Sequence, residues 1–498
     1  MTGTLPPSSS PPSPTASTPA VIAGGLTPMK AILASIVAVQ IVSGSLQSFL
    51  GPLFHTLSES LGVTAAQLNW VSIANLLSSA VFAPVLARMG DLYGHRRILR
   101  ANLLIIMVGS LLVAVARNFE VLLTGQVLQG SLSGLFPLLV GILRNHSGGE
   151  ENRRGIGLMI AGLGIGSGLG LVSSGLVVEW ADDPTKALWV PVFTVAVAVS
   201  VAYFFLPETD DRPGGSIDWA GGTLLGAGLV GVLLALGQGQ AWGWTALSTL
   251  AWGIGGLAAL VAWTVVELRH PEPMVDVRMF AKPQVVVVSA VALAFSFILF
   301  GLTVAGSIFM SLPPDQVGFG LGLSALNIAF ASLPAIVGMT LGSVLAPHIA
   351  RVIGDRFLLA LGCVLLAVAY TSIALFHGSV GEYLTGTAVS GLGMGLLQQS
   401  TRTIAVEAVS KEETAVGSGI NELMITVGGS LGAAVVGVVF TAHTATGGMF
   451  PDEGGFTTAW WVCAGVGLAG ALIALLYRAR PVGTTQNNGT TQNTEKIA

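Results

Sequence analysis

The chain is poor in charged residues. Only 9% of its 498 residues are Asp, Glu, Lys or Arg, whereas 52% are hydrophobic and the mean hydropathy is +0.78. A soluble protein of this size has about a quarter of its residues charged. Because so few charges cannot interrupt the apolar segments, the composition excludes an ordinary soluble domain and indicates a chain that is solvated mainly by lipid.

Cysteine and catalytic patterns are equally scarce. Cys363 and Cys463 both lie in apolar segments, so we expect two small buried side chains rather than a disulfide or a metal site. The seven His residues are scattered and no nucleophile–base pairing is visible, so we expect neither an enzyme nor a cofactor. The phosphate-binding pattern Gly-x4-Gly-Lys-Ser/Thr is absent, which excludes an ATP-driven pump as far as sequence allows.

Fourteen apolar segments approach the length of about 20 residues that a membrane-spanning helix needs. Residues 1–30 are rich in Pro, Ser and Thr, so we expect a disordered cytoplasmic tail rather than a signal peptide, and we expect a second disordered tail at 479–498. The predicted spans lie near residues 31–50, 66–87, 98–116, 121–143, 155–178, 188–206, 217–236, 247–267, 284–306, 319–341, 357–376, 380–402, 415–441 and 458–477.

Positive charge lies almost entirely on one side of these spans. If the N-terminus is cytoplasmic, 19 of the 21 Lys and Arg residues fall in cytoplasmic loops and tails, and only Arg117 and Lys186 fall outside. An even number of spans places both termini on the same side. The sequence therefore predicts a multi-pass protein of the cytoplasmic (inner) cell membrane with both termini in the cytoplasm.

The loop between the second and third predicted spans carries a charged turn, Ala-Arg-Met-Gly-Asp-Leu-Tyr-Gly-His-Arg-Arg, at residues 87–97. Asp91 can accept hydrogen bonds from a helix N-terminus, and the arginines can meet carboxylates or lipid phosphates, which suits a gate. An ordinary positively charged loop is the alternative. The pattern resembles the signature loop of the major facilitator superfamily, but departs from it at Ala87 and Leu92. The candidate gating residues are Asp91, Gly94, Arg96 and Arg97.

The fifth span carries glycines at spacings of nine and four, Gly157, Gly166 and Gly170, followed by Gly175. Glycines on one helical face let two backbones approach closely. The spacing resembles the antiporter motif that exporters of this superfamily carry in the fifth helix, except that Leu171 replaces the usual Pro. The resemblance implies a helix-packing role for these glycines and export as the direction of transport.

Predicted spans seven and eight lie between two groups of six. This arrangement, with the connectors Pro207-Glu-Thr and Glu267-Leu-Arg, resembles the fourteen-spanner drug:proton antiporters over residues 30–478. The resemblance implies an all-α integral membrane protein with the major-facilitator fold and fourteen transmembrane helices. Its expected parts are an N-terminal six-helix bundle at 31–206, a two-helix insertion with connectors at 207–283 and a C-terminal six-helix bundle at 284–478.

Two positions at which the resemblance would place charged coupling residues are uncharged. Ser43 stands nine residues before Pro52 in the first span, where an acidic residue is common in the family. Gln126 stands three residues before Gln129 in the fourth span, where Arg is common. The family's coupling mechanism therefore cannot be transferred directly, and an acid elsewhere in the spans has to be considered.

Glu422 is the best acidic candidate for proton coupling. It lies about two turns into the thirteenth span, with Ser418 and Thr426 one turn away on either side. A charge buried in lipid is unfavourable by several kcal/mol, so an acid within a span favours a functional role. Burial also favours the protonated form of a carboxyl group. The alternative is a hydrated position near the cytoplasmic surface, where Glu422 pairs with Arg402 or Lys411.

Uncharged polar residues occur in several other spans. They can line a central substrate cavity, or they can hydrogen-bond one helix to another. Together they indicate a polar but largely uncharged cavity. The candidates are Gln40, Ser43, Gln47, Asn75, Gln126, Gln129, Asn327, Gln398 and Asn421.

These features favour a secondary active transporter of the multidrug-efflux type, which exports amphipathic organic, antibiotic-like compounds by proton antiport through alternating access. A dedicated natural-product exporter or facilitator with little proton coupling is the first alternative, and a non-transporting membrane receptor is the second. The expected partners are a small organic substrate, protons and the lipid bilayer, without nucleic acid. The sequence leaves the substrate, the stoichiometry, the oligomeric state and any protein partner open.

Overall fold

The computed structural model describes residues 28–50, 65–180, 187–206, 218–270, 277–278, 283–409, 414–444 and 450–477. Within these ranges every regular element is helical and no strand occurs. Eleven of the described helices are long and apolar enough to cross a membrane. The predicted all-α membrane architecture is confirmed, whereas the count of fourteen spans stays a prediction. The predicted terminal tails lie almost entirely outside the described residues.

The helices up to residue 206 form the N-terminal half of the protein. The fourth predicted span consists of two helices that a 3-10 segment, Gly130–Gly134, joins end to end. The helix after the fifth span is short, with 16 residues. The described helices are α1 (Pro28–Phe49), α2 (Ala65–Tyr93), α3 (His95–Ala114), α4 (Phe119–Gln129), α5 (Leu135–His146), α6 (Gly149–Trp180) and α7 (Trp189–Phe204).

A helical hairpin, α8 (Trp219–Trp242) and α9 (Leu247–Arg269), follows in the chain, and Asp218 caps the start of α8 by accepting a hydrogen bond from Gly221 N–H (2.8 Å). The remaining helices form the C-terminal half. They are α10 (Pro283–Ser311), α11 (Pro314–Val317), α12 (Ala325–Ala331), α13 (Leu333–Leu375), α14 (Val380–Glu407), α15 (Thr414–Ala442) and α16 (Glu453–Ala474).

Helix α13 covers parts of two predicted spans in 43 residues. Gly354 interrupts it with φ 80° and ψ 158°, a conformation that favours glycine, so the chain turns there between two apolar segments. The predicted start of the tenth span at residue 319 is wrong, because helix α12 begins only at Ala325. The preceding segment is apolar but not helical, and its Leu321 and Leu323 N–H groups bond to the carbonyl groups of Phe309 and Met310 at the end of α10.

Apolar side chains form separate cores in the two halves. The N-terminal core is built mainly from α1, α3, α5, α6 and α7, and the C-terminal core from α10, α13, α14 and α16. A third cluster joins Ala80 of α2, Leu229 of α8 and Ile420 of α15. The hairpin therefore packs against both halves. The domain boundaries drawn from the sequence stay a prediction.

The two halves meet along two pairs of helices. Helix α2 packs on α15, where Gly419 lies against Ala83 and Pro84, and α6 packs on α12 and α13. Helix α8 touches both members of the first pair, and its Gln240 Nε2 donates to the Gly437 carbonyl oxygen of α15 (3.0 Å). These two contacts between the halves position the residues described below.

Candidate functional site

Glu422 and Arg402 form a buried ion pair between α15 and α14. Arg402 Nε donates to Glu422 Oε1 (2.6 Å), and Nη2 donates to Oε2 (3.2 Å), which is the two-pronged arrangement that arginine makes with carboxylates. The Arg402 side chain is 6% exposed and that of Glu422 13%. The pairing with Arg402 that the sequence left open is present, and in it Arg402 is buried and Glu422 is partly buried.

Arg402 also contacts groups outside the ion pair. Its Nη1 donates to Gln398 Oε1 one turn earlier in α14 (2.9 Å), and Gln398 Nε2 lies 3.2 Å from Met339 Sδ. The guanidinium carbon lies 4.7 Å from the centroid of the Phe136 ring, which belongs to α5 in the N-terminal half. The positive charge of Arg402 is therefore met by a carboxylate, a carboxamide and an aromatic face from three helices.

Asp91 of α2 binds the N-terminus of α15. Its Oδ1 accepts a hydrogen bond from Ala415 N–H (3.2 Å) and its Oδ2 accepts one from Val416 N–H (3.0 Å). Asp91 is buried, and His95 Nε2 lies 3.0 Å from Oδ1. A carboxylate at the first N–H groups of a helix satisfies donors that lack a partner in the helix and meets the positive end of its dipole. This carboxylate therefore joins the two halves.

The other candidate gating residues lie beside Asp91. Gly94 has φ 98°, which favours glycine, and it separates α2 from α3. Arg96 Nη2 donates to the Tyr203 carbonyl oxygen of α7 (3.2 Å), and Arg97 is exposed. The residues of this loop therefore have two kinds of partner. Asp91 binds the C-terminal half, whereas Arg96 binds a group within the N-terminal half.

Arg144, at the end of α5, is inserted between the ends of α14 and α15. Its Nη1 donates to the Val406 carbonyl oxygen (2.6 Å) and to Thr414 Oγ1 (2.8 Å), while Nη2 donates to the Val409 carbonyl oxygen (2.9 Å). The last carbonyl groups of a helix lack intrahelical partners, so an arginine there stabilises the helix end. Arg144 is a second link between the halves.

Arg153, near the start of α6, binds two carboxylates of the C-terminal half. Its Nε and Nη2 donate to Glu407 at 2.7 and 2.6 Å, and its Nη1 and Nη2 donate to Asp355 at 2.8 and 3.0 Å. Asp355 directly follows the turn at Gly354, and Glu407 ends α14. We refer to Asp91, Arg144, Arg153, Asp355 and Glu407 as the gate cluster, because they join the halves at one end.

Gly166 and Gly170 of α6 lie against the backbone of α1. A Cβ atom on Gly166 would overlap the Ile41 carbonyl oxygen, and one on Gly170 would overlap the Ser45 carbonyl oxygen. The backbones of α1 and α6 are therefore in direct contact, which only residues without a side chain permit.

Gly157 and Gly175 face the C-terminal half instead. A Cβ atom on Gly157 would lie 2.7 Å from the Ser343 carbonyl oxygen of α13, whereas one on Gly175 would lie 3.5 Å from Leu326 Cδ1, an ordinary contact. The glycines of α6 thus serve two interfaces, one within the N-terminal half and one between the halves.

Three of the polar candidates are hydrogen-bonded within the N-terminal half. Asn75 Nδ2 donates to the Gln126 carbonyl oxygen (3.1 Å), Gln126 Nε2 donates to Gln129 Oε1 (2.9 Å), and Gln129 Nε2 donates to Ser110 Oγ (3.1 Å). Gln126 and Gln129 are buried. These contacts join α2, α3 and α4 to one another.

On α1 the polar candidates have different environments. Gln40 and Ser43 are buried, whereas Gln47 is exposed and its Nε2 donates to Ser43 Oγ (3.1 Å). Gln40 Nε2 has no hydrogen-bond partner among the residues that the structure describes.

Asn327 and Asn421 lie apart from that group. Asn327 is exposed in α12, and its backbone N–H donates to Ser324 Oγ at the start of that helix (3.4 Å). Asn421 is 2% exposed, lines a small cavity with Ser289 of α10 and Ile404 of α14, and its side chain has no hydrogen-bond partner within the described part of the chain. No metal-binding group of three or more His, Cys, Asp or Glu residues occurs in the described ranges.

Sequence reasoning missed Arg144, Arg153, Asp355 and Glu407, and it considered Arg402 as a partner of Glu422 only at a hydrated position near the cytoplasmic surface. A signal for Asp355 exists, because Ala-Arg-Val-Ile-Gly-Asp at 350–355 repeats the pattern Ala-Arg-Met-Gly-Asp at 87–91 with one extra residue. The partners of Arg144 and Arg153 lie more than 200 residues away in sequence, so no local pattern indicates them.

Two bundles of membrane-spanning helices that a charged cluster joins at one end form the architecture of many membrane transporters. The family model described as Major Facilitator Superfamily matches residues 36–433. The chain belongs to that superfamily, and the resemblance drawn from the sequence is confirmed.

Several of the chain's relatives are named as exporters or resistance proteins. It is 27% identical over 399 residues to a "Probable actinorhodin transporter" of Streptomyces coelicolor, covering 76% of this chain and 67% of that protein. It is 26% identical over 408 residues to the "Tetracenomycin C resistance and export protein" of Streptomyces glaucescens, with coverage of 80% and 73%. It is 28% identical over 433 residues to a "Multidrug resistance protein B homolog" of Mycobacterium tuberculosis, with coverage of 82% and 75%.

Solved structures of membrane transporters share the fold. The human organic anion transporter MFSD10 (TETRAN) matches with a TM-score of 0.68 at 15% identity, over 90% of this chain and 100% of that one. The nucleoside transporter NupG matches with a TM-score of 0.56, also at 15% identity and with the same coverage. At this identity the likeness concerns the fold alone.

Proposed function

We propose that this chain is a secondary active transporter that exports amphipathic organic compounds across the cell membrane in exchange for protons. The observation that carries the proposal is the buried pair of Glu422 and Arg402. Glu422 lies eight residues after Thr414 in α15, so it is about 12 Å along the helix axis from the start of α15, where Asp91 and Arg144 bind. A carboxylate at that depth is a functional candidate because an ionised group in the membrane is unfavourable unless it is paired.

The gate cluster supports alternating access. With both termini in the cytoplasm, as the distribution of Lys and Arg predicts, the cluster lies at the cytoplasmic ends of the two halves. Asp91, Arg144 and Arg153 then hold the cytoplasmic side closed. Breaking their contacts opens the interface to substrate from the cytoplasm, and reforming them follows release outside.

The ion pair supplies a means of proton coupling. A proton on Glu422 removes the negative charge that compensates Arg402, and a buried charge without its partner is strongly unfavourable. The protonated and ionised forms therefore favour different conformations of the protein, and a difference in proton affinity between two conformations shifts their populations. Substrate binding that favours the ionised form releases the proton, which is the requirement for antiport.

The charges favour a neutral or zwitterionic substrate. Ser43 provides no charge in the first span, and the negative charge of Glu422 is balanced by Arg402. A strongly cationic compound therefore meets no free carboxylate in this group. The names of the relatives point to antibiotic-like compounds, and we extend that substrate class to this chain as part of the proposal.

The test uses energised inverted membrane vesicles that contain the wild-type protein, Glu422→Gln or Glu120→Gln. Glu120 is exposed and lies on the side of the membrane opposite the gate cluster, so its replacement is the matched control. A panel of antibiotics and dyes is added while the internal pH is followed. We expect compound-induced proton release with the wild type and Glu120→Gln, and no release with Glu422→Gln. Undiminished release with Glu422→Gln would remove this residue from the mechanism.

A second candidate is a dedicated natural-product exporter with little proton coupling. It is favoured by Gln126, an uncharged residue whose side chain donates to Gln129 within the same helix, and by two relatives that are named for single compounds. In the same vesicles this candidate predicts no proton response to the panel. Movement of one labelled compound down its own gradient, equal in the wild type and Glu422→Gln, would identify it.

A further inference from the structure

Arg402 connects Glu422 in one half of the protein to an aromatic ring in the other. We propose that Arg402 is the positioning residue through which the charge on Glu422 controls the closure of the gate side, with the ring of Phe136 as its contact in the N-terminal half. The inference rests on the proposed function, because it requires Glu422 to bind the coupling proton.

The contacts of Arg402 fix the plane of its guanidinium group. Two nitrogens bind the carboxylate of Glu422, and the third binds Gln398, so every nitrogen has a partner in the C-terminal half. The guanidinium carbon lies over the Phe136 ring, 4.7 Å from its centroid. Arg402 and Phe136 are 5% and 6% exposed, and a cation over an aromatic face is held most strongly when water is excluded from both.

Protonation of Glu422 removes the restraint that orients this group. A neutral carboxyl group makes weaker hydrogen bonds with guanidinium than a carboxylate does. Gln398 and Phe136 carry no negative charge, so the buried cation then lacks an anion and moves toward water. The cation–ring contact with Phe136 is lost with that movement, and the two halves lose a contact that lies beside the gate cluster.

Other charged groups on the neighbouring helices are engaged at the gate end, except Arg88 of α2, whose buried Nε has no hydrogen-bond partner among the described residues. Asp91 and His95 lie against the first residues of α15, Arg144 against the ends of α14 and α15, and Arg153 against Asp355 and Glu407. Among the described residues, Arg402 is the charged group in hydrogen-bond contact with the Glu422 carboxylate. A change in the charge of Glu422 therefore acts first on Arg402.

The experiment measures the distance between the halves with spin labels on cysteines at Asn145 and Val352. Both positions are exposed, at the gate end of α5 and of the first part of α13. The buried Cys363 and Cys463 are replaced with alanine. Distance distributions are recorded at high and at low pH for the wild type and for Glu422→Gln, which carries an uncharged side chain at every pH. For the full-length wild-type protein we expect a closed population that decreases at low pH.

The decisive variant is Phe136→Leu, which removes the aromatic face and keeps the ion pair. At high pH we expect the ratio of closed to open populations to fall about tenfold, which corresponds to about 1.4 kcal/mol. At low pH we expect no change, because Arg402 has already left the ring. Phe136→Trp retains an aromatic face and should restore the pH response. Phe295→Leu alters a buried ring of the C-terminal core and is the control for packing loss.

The outcomes separate this inference from the proposed function. An equal effect of Phe136→Leu at both pH values, like that of Phe295→Leu, would assign the ring to packing and overturn the inference. Wild-type behaviour of Phe136→Leu, combined with a pH response abolished in Glu422→Gln, would overturn the inference and leave the proposed function intact. A wild-type pH response in Glu422→Gln would overturn both. A loss confined to high pH, restored by Trp, supports the inference.

Discussion

Replacing Gly166 with alanine should force α1 and α6 apart. The added Cβ atom would overlap the Ile41 carbonyl oxygen, and the nearest other atoms are also backbone atoms of Ile41. A backbone oxygen cannot rotate away as the end of a side chain can. The two helices therefore have to separate, and they lose the close contact that extends to Gly44 and Gly170.

The magnitude follows from comparison with Gly168 in the same helix. A Cβ atom there would lie 3.5 Å from Ile336 Cγ2, an ordinary contact. Alanine is favoured over glycine in a helix interior by about 0.8–1.0 kcal/mol, and this gain applies at both positions. Forcing an extra methyl group into a packed interface is unfavourable by about 1–3 kcal/mol. We therefore expect Gly166→Ala to have a free energy of unfolding about 1–3 kcal/mol below that of Gly168→Ala.

The assay is thermal unfolding of the two purified variants in the same detergent, followed by the fluorescence of the ten tryptophans. We expect Gly166→Ala to unfold several degrees below Gly168→Ala, and Gly168→Ala to unfold at or above the wild-type temperature. Equal midpoints for the two variants would refute the reasoning, since the α1–α6 backbones would then not be in contact at Gly166.

Two further predictions concern the charged residues between the halves. Arg153→Lys should widen the distance between labels at Asn145 and Val352 at every pH, because one ammonium group cannot form the paired hydrogen bonds to both Asp355 and Glu407. An unchanged distance would show that this contact does not hold the gate side closed. Arg402→Gln should lower the free energy of unfolding by about 3–5 kcal/mol, because it leaves the Glu422 carboxylate buried without its partner. The double variant with Glu422→Gln should recover much of that loss. Strictly additive effects of the two single variants in a double-mutant cycle would contradict a direct interaction.

The fold could be predicted because the bilayer imposes local rules. A span needs about 20 apolar residues, and that requirement can be checked segment by segment along the chain. The error at residue 319 has the same origin, since the segment before Ala325 is apolar without being helical. Its N–H groups bond to the end of α10, and hydropathy alone does not distinguish that arrangement from a helix.

The candidate site could be predicted only where its signal was local. The turn at Asp91 indicated a gate, but its partner N–H groups lie 324 and 325 residues later. The position predicted for a helix end decided whether Arg402 was interpreted as a loop residue or as an interior residue. The twelfth predicted span ended at residue 402, which made this arginine a loop residue, whereas α14 continues to Glu407 and holds its side chain in the interior. Helix ends are uncertain by a few residues from sequence alone.

The hairpin of α8 and α9 makes the protein asymmetric with respect to the surrounding lipid. Helix α8 covers the contact between α2 and α15 through Val81 on one side and Gly437 on the other. At the corresponding contact between α6 and α13 the additional element is the short helix α12, which belongs to the C-terminal half itself. The two edges of the interface between the halves therefore present different surfaces to the lipid, one formed by the hairpin and one formed by the halves alone.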